Sequence, residues 1–208
     1  MLFSVIIPAY NCEETIENTV DSIAESGIID YEILIIDDGS TDKTGSICDS
    51  LAQKTPTLRC IHQANEGVSA ARNCGIKNSH GDYLIFFDAD DYVESNSFCN
   101  AVKIIEAEHP DILLFGMFFD YYSRGKIYRR DSYIPSCSGM LSLEQIKQYF
   151  SSLYLCNALT PVWNKIFSKE LIIDTDTHFN TDMMSNSVRR FFCKLVVLID
   201  DSPLIVNR

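Results

Sequence analysis

Four short apolar runs alternate with three amphipathic stretches inside the first 90 or so of this chain's 208 residues. No other feature constrains the fold as much. Residues 3–7 (Phe-Ser-Val-Ile-Ile) read as a buried strand that Pro8 should stop. Residues 31–36, 57–62 and 82–87 read as three more. Between them, residues 13–26 carry Ile16, Val20 and Ile23 at helical spacing, with Gly27 as a C-cap. A second helix, capped by Thr41 or Asp42, should run to about Gln53, and a third should span 67–79. Strands that alternate with helices form a mostly parallel sheet wrapped on both faces. The strands are apolar without alternation, as expected when both faces are covered. In such sheets ligands bind at the carboxyl ends of the strands, so the informative loops are those after the first four strands.

After residue 95 the pattern changes. A helix over 96–108 should lead to an apolar strand, Ile112–Phe119, followed by a polar stretch, Tyr121–Tyr133, expected as a hairpin or loose loop. Helices are expected at 142–153, 168–173 and 182–194, with a strand at 195–200. Neither repeats nor low-complexity tracts occur. The last residues, Pro203–Arg208, offer no helix cap or polar tail, which suggests a domain cut from a longer protein. The division expected is a ligand-binding half, 1–100, and a second half, 101–208, of one domain.

The mix of 46% hydrophobic and 22% charged residues is that of a folded globular domain, not of a disordered or collagen-like chain. No apolar run approaches the roughly 20 residues of a membrane span. The N-terminus shows no basic region ahead of its apolar run, so no signal peptide is expected. Eight scattered cysteines without a C-x-x-C pair suggest reduced thiols of a cytoplasmic protein rather than a disulfide framework. The net charge of −12 sits entirely in residues 1–100, which hold 5 Lys+Arg against 17 Asp+Glu; the remainder holds 12 of each. An acidic half argues against a nucleic-acid partner. It still accommodates a phosphorylated ligand if a divalent cation stands between protein and phosphate.

The loop after the first strand, Pro8-Ala9-Tyr10-Asn11, has no glycine. Neither the dinucleotide fingerprint nor the P-loop occurs anywhere in the chain. Tyr10 either stacks on a base or packs half-buried; the loop alone supports both. After the second strand, Asp37 and Asp38 place two carboxylates where a ligand would sit, and at least one could serve only as a helix cap. After the fourth, Asp88-Ala89-Asp90-Asp91 is the strongest signal. Crowded carboxylates repel, and a hard divalent cation relieves that repulsion. Asp88 and Asp90 fall on one side of an extended chain and can face one site. An EF-hand does not fit, because Val93 and Cys99 stand where glycine and glutamate are needed.

Four segments in order, Val5–Asn11, Ile36–Asp42 (Ile-Asp-Asp-Gly-Ser-Thr-Asp), Asn65–Asn73 (Asn-Glu-Gly-Val-Ser-Ala-Ala-Arg-Asn) and Asp88–Asp91, resemble family 2 of the glycosyltransferases, inverting enzymes with the GT-A fold. Val162–Phe167 looks like a further family segment, and Thr181-Asp182 aligns where the family carries Glu-Asp. The resemblance implies a Rossmann-like α/β sheet and transfer of a hexosyl or N-acetylhexosaminyl group from a nucleotide-diphosphate sugar, a UDP-sugar first. The acceptor would be a hydroxyl of a glycan or lipid-linked molecule, as in bacterial polysaccharide biosynthesis. Carried over, Pro8, Tyr10 and Asn11 flank the base or ribose, Asp38 accepts the base N–H, and Arg72 lies near the phosphates. Asp88 faces ribose and metal, Asp90 is the main ligand of Mn²⁺ or Mg²⁺, and Asp182 is the catalytic base.

Trp163, Asp91 and His178 are candidates for sugar or acceptor contact; Trp163 reads equally as a packing residue. His62, His80, His109 and His178 are isolated and show no metal spacing. The basic residues within Tyr121–Tyr133 suggest either a solvated hairpin or a peripheral contact at the inner face of the membrane. Two other classes compete. One is a non-catalytic module that binds nucleotide sugars but has a degenerate acceptor half, suggested by Thr181 in place of the usual Glu. The other is a nucleotidyltransferase, which would need a Gly-rich basic loop that Pro8–Asn11 does not provide.

Overall fold

The computed structural model describes residues 2–124, 126–135, 137–156, 158–181, 195–197 and 205–207. Its first half follows the expected order: β1 (Phe3–Ala9), α1 (Ile16–Glu25), β2 (Tyr31–Asp37), α2 (Thr44–Lys54), β3 (Leu58–His62), α3 (Val68–Asn78) and β4 (Tyr83–Phe86). Then come β5 (Tyr92–Val93), α4 (Phe98–Glu108), β6 (Ile112–Leu114), β7 (Met117–Ser123), β8 (Lys126–Tyr133), β9 (Gly139–Leu141) and α5 (Leu143–Leu155). The described chain closes with β10 (Lys165–Ser168), α6 (Lys169–Asp174), β11 (Leu195–Val197) and β12 (Ile205–Asn207). The helix expected at 182–194 lies outside the described residues.

Eight strands form the main sheet in the order β3-β2-β1-β4-β10-β6-β11-β9. The first four are parallel; β10 runs antiparallel to both of its neighbours. The sheet therefore continues without a break from the first half of the chain into the second. Strand residues alternate between two cores. Val5, Ile7, Ile33 and Ile35 pack with Val20 and Ile23 of α1, Leu51 of α2 and Phe98 and Ile105 of α4. Ile6, Leu34, Ile36 and Phe86 face the other way, toward Ala71 of α3, Leu153 of α5 and Leu171 of α6. Close approach on that second face depends on Gly75. A Cβ there would lie 2.3 Å from Ile6 Cγ2, so a side chain would force α3 off the sheet.

Three expectations are corrected. Pro8 does not end β1: the strand runs on to Ala9, with Pro8 in register with Ile36. The Ile6 carbonyl accepts from Phe87 N on the β4 side, and Ala9 O accepts from Asp38 N on the β2 side. Alternation thus points residue 8 toward β4, where pairing has already ended at Ile6–Phe86, and the missing N–H of proline costs no ladder bond. The apolar run Ile112–Phe119 is two strands, not one. Phe115 leaves the main sheet, and β7 joins a second sheet of order β5-β12-β7-β8. Its antiparallel partner β8 makes Tyr121–Tyr133 a hairpin. There, Arg130 pairs with Asp120 (2.6 and 2.7 Å) and Arg129 with Asp131 (2.8 and 2.6 Å), so much of the basic cluster is neutralised internally. Third, β5, β9 and β12, only two or three residues long, escape the sequence reading.

Candidate active site

Where β1 and β4 part, the carboxyl ends of β1, β2 and β4 surround an open cleft of 610 Å³. This is the point at which the helices change face, the usual ligand crevice of a doubly wound sheet. Pro8, Tyr10, Asn11 and Asp38 line one side; Ala89 and Asp90 line the other. Tyr10 is 50% exposed, which leaves its ring accessible from the cleft.

The first loop and the turn after β2 hold each other in place. Asn11 takes a left-handed conformation (φ +48°). Its Oδ1 accepts from Thr41 N at 2.8 Å, and its own N–H donates to Ser40 Oγ at 3.0 Å. Cys12 N donates to Thr44 Oγ1 (2.8 Å), Glu13 N to Asp42 Oδ2 (3.2 Å) and Lys43 N to Glu13 Oε2 (2.8 Å). Asp42 also accepts from Thr44 N at 2.9 Å, so it serves the start of α2, as the sequence suggested.

Asp37 and Asp38 are both buried but do different work. Asp38 accepts from Gln63 Nε2 (2.8 Å), Glu66 N (2.9 Å) and Gly67 N (2.8 Å). It thereby ties the loop before α3 to the cleft. A carboxylate offers about four acceptor positions, so roughly one stays open toward the cleft. Gly39 permits this approach: its φ is +71°, and a Cβ would meet Asn65 N at 2.9 Å. Asp37 accepts from Ser40 N (3.1 Å) and contacts His62 Nδ1 (2.8 Å). Burial works against its charge, but the Ser40 and His62 contacts outweigh it and hold Asp37 below the usual carboxylate range.

The Asp88–Asp91 turn hangs on α1, where Thr19 Oγ1 donates to the carbonyls of Ala89 (3.0 Å) and Asp91 (2.8 Å). Asp90 is exposed on the cleft. Asp88 Oδ1 accepts from Arg72 Nη2 at 2.7 Å. Arg72 itself is 1% exposed, on α3 behind the turn, with its guanidinium 5.4 Å from the centre of the Phe179 ring. Asp91 is also buried, and burial, with the neighbouring charges of Asp88 and Asp90, pushes it up to about 9. It sits in the wall of the turn and does not line the cleft.

The other sequence candidates fall elsewhere. Trp163 is 8% exposed and packs edge-on against Phe119 at 5.8 Å, in the core. His178 is exposed, bonded to the Asp176 carbonyl at 3.1 Å, and does not line the cleft. Asp182 lies outside the described residues. The chain leading to it is nevertheless anchored: Asn73 donates from Nδ2 to Phe179 O and accepts from Phe179 N, both at 2.8 Å. This lock brings residue 179 against α3 one residue from Arg72. No sequence signal beyond the Ala-Arg-Asn run marks Asn73, because its partner is 106 positions away. Nor are the histidines as isolated as their spacing suggests. His62 bridges Asp37 and Asp49 (2.8 and 3.0 Å), and His80 contacts Glu32 at 3.2 Å. Hydrogen bonds to Asp49 and Asp37 raise His62 to about 9.

Comparison with known proteins agrees with this architecture. EpsJ of Bacillus subtilis (strain 168), an uncharacterized glycosyltransferase, is 32% identical over 185 residues, covering 88% of this chain and 52% of EpsJ. The glycosyltransferase GlyG of Streptococcus pneumoniae serotype 4 is 28% identical over all of this chain and 71% of its own length. This chain thus spans about half of EpsJ. The solved structure of S. aureus TarS 1–349 superposes with a TM-score of 0.77 at 26% identity, over 100% of this chain and 60% of that one. The same TarS fragment is known in complex with UDP, and that structure matches with a TM-score of 0.76 at 25% identity. Residues 4–191 match the description of glycosyl transferase family 2 from end to end, and the chain belongs to that family.

Proposed function

We propose that this chain is the donor-binding and catalytic portion of a metal-dependent inverting glycosyltransferase that takes a UDP-sugar. Residues 1–100 supply the donor half and 101–208 the acceptor side of one GT-A domain. The observation that carries the reading is the cleft itself. An exposed aromatic ring, Tyr10, and a preorganised carboxylate, Asp38, stand across it from the exposed Asp90. A base stacked on Tyr10 and bonded to Asp38 would direct its diphosphate toward Asp90. The TarS complex with UDP supports a uridine nucleotide.

Two carboxylates from one turn, one on the cleft and one half-exposed beside it, suit a hard cation such as Mn²⁺ or Mg²⁺ in donor chemistry. Asp90 and Asp88 would hold it, and once bound it offsets the charge that builds on the diphosphate leaving group. Arg72, fixed behind Asp88, keeps that carboxylate aimed. Asp182 takes the proton of the attacking acceptor hydroxyl, which approaches the anomeric carbon opposite the leaving group. The acceptor is a hydroxyl of a glycan or lipid-linked molecule, reached in the cytoplasm or at the inner face of the membrane. Among the described residues, no helix is long and apolar enough to cross a membrane.

A thermal-shift panel tests the donor site: UDP, GDP, dTDP and their sugars, each with and without Mn²⁺, on the wild-type chain and Asp90→Ala. At a hundredfold excess over Kd a ligand adds about 2.7 kcal/mol, a rise of about 5–10 °C at this size. Stabilisation by a uridine nucleotide that needs Mn²⁺ and is lost in Asp90→Ala is the expected result. No shift with any nucleotide would overturn the assignment. Asp182→Asn should then keep donor binding and lose transfer; unchanged transfer would remove Asp182 from the mechanism.

A further inference from the structure

On the surface between α2 and β3, away from the Asp88–Asp90 turn, three unlike donor atoms converge. Asp49 on α2 and Cys60 and His62 on β3 place one ligand atom each within 4.8 Å of one another. His62 Nε2 is 3.0 Å from Asp49 Oδ1 and 3.7 Å from Cys60 Sγ. A tetrahedral zinc ion, with Zn–S near 2.3 Å and Zn–N and Zn–O near 2.0–2.1 Å, sets S···N at about 3.6 Å and N···O at about 3.3 Å. The observed spacings are therefore already close to those of a filled site.

Two further observations point the same way. His62 Nδ1 contacts the buried Asp37 Oδ2 at 2.8 Å. That bond fixes the ring, and the proton that Nε2 shares with Asp49 leaves when a metal takes its place. A carboxylate behind a histidine in this way is the usual outer shell of a zinc ligand. Second, the room for this arrangement depends on Gly45, the second residue of α2, four positions before Asp49. A Cβ there would lie 3.0 Å from Asp37 Oδ2 and 3.5 Å from His62 Cε1. The site is open to entry, with the Asp49 and His62 side chains 57% and 47% exposed.

We propose that Asp49, Cys60 and His62 bind a zinc-class divalent ion, with water as the fourth ligand, distinct from the ion held by Asp88 and Asp90. A thiolate and an imidazole select a softer metal than the all-carboxylate turn does. Binding displaces the thiol proton of Cys60 and any proton shared between His62 and Asp49. The ion clips α2 to β3. Through His62 and Asp37 it also steadies the turn that presents Asp38 to the cleft.

Co²⁺ titration of the reduced full chain tests this by absorption. The expected result is a near-ultraviolet thiolate-to-cobalt band with tetrahedral visible bands. The signal should saturate at one equivalent, be displaced by Zn²⁺, and be unchanged in Asp90→Ala. Cys60→Ser should abolish the thiolate band, while Cys48→Ser keeps it. Asp37→Asn should weaken binding about 10–100-fold. His62→Gln, checked for folding by circular dichroism, supplies a second route should Cys60→Ser fold poorly, and should also lose tetrahedral binding. Absence of a thiolate band in the wild type, or its survival in Cys60→Ser or His62→Gln, would overturn the proposal.

Discussion

Lys165 opens β10 with its ammonium buried among oxygen atoms and, among the described residues, no carboxylate paired with it. Its Nζ donates to Ala158 O and Asn164 Oδ1, each at 2.7 Å, and to Pro161 O. Burial draws it from the usual 10.5 down to about 7. The folded value lies below the unfolded one, so between about pH 7 and 10.5 the unfolded chain binds more protons, and stability rises with pH. Three and a half units correspond to about 5 kcal/mol in all; between pH 6 and 9 the accessible part is about 2–3 kcal/mol. Lys165→Met keeps the length of the side chain and removes the titration. Urea unfolding of both proteins from pH 6 to 9 isolates the effect, since every other group titrates in both. The wild type should gain about 2–3 kcal/mol on the variant as pH rises across that range. Parallel curves, within about 0.5 kcal/mol, would refute the reasoning. They would mean that the three oxygens replace water well enough to keep the ammonium charged throughout.

Asn73→Ala removes both bonds to Phe179, about 1 kcal/mol each. Hydrogen exchange at the Phe179 amide should quicken about 30-fold while global unfolding changes little; unchanged exchange would show that the lock does not hold the segment. Asp38→Asn turns an acceptor into a donor facing Glu66 N, Gln63 or Gly67 N. It should weaken binding of the uridine nucleotide at least about tenfold by calorimetry, or about 1.4 kcal/mol. Asp120→Asn cuts the charge on a carboxylate that is fully buried against Arg130. Its destabilisation, about 1–3 kcal/mol in urea, should fall only in part in 1 M salt, because the carboxylate is fully buried while the Arg130 side chain is 36% exposed.

The first half of the fold was legible because β1, β2 and β4 are apolar runs, α1 carries a clear apolar stripe, and most boundaries carry Gly, Asp, Asn or Pro. Local pattern and tertiary position agree there, and strand ends shift by a residue or two. The second half was less legible for a physical reason. The strands β5, β9 and β12 are too short to carry a period, and they exist because a neighbour pairs with them. Phe115 looks like mid-strand because both sheets that meet there need an apolar residue. At the site, Pro8, Tyr10, Asn11, Asp38 and Asp90 could be read as lining one cleft because all lie at or just beyond the carboxyl ends of strands. Trp163 and Asp91 could not be told from site residues, since burial is decided by elements far along the chain. The bridge from Asp37 through His62 to Asp49 was invisible for the same reason.

The two sides of the cleft are built to different standards, and the difference follows from the bonds. On the donor side every loop is held by another. Asn11 grips the turn at Ser40 and Thr41, Glu13 donates to Asp42 and accepts from Lys43, Asp38 holds Glu66 and Gly67, and Arg72 holds Asp88. Such a network rises or falls as a unit, so one substitution in it should alter donor affinity even at a distance from the nucleotide. Toward Asp182, Asn73 bonds Phe179 to α3, and the Phe179 ring packs against the Arg72 guanidinium and edge-on against Phe86. Exposed positions around that anchor can be altered without disturbing the donor-side network. Changes near 175–181 should therefore act on turnover and acceptor choice while donor affinity stays nearly constant. That separation would let one donor site serve many acceptors.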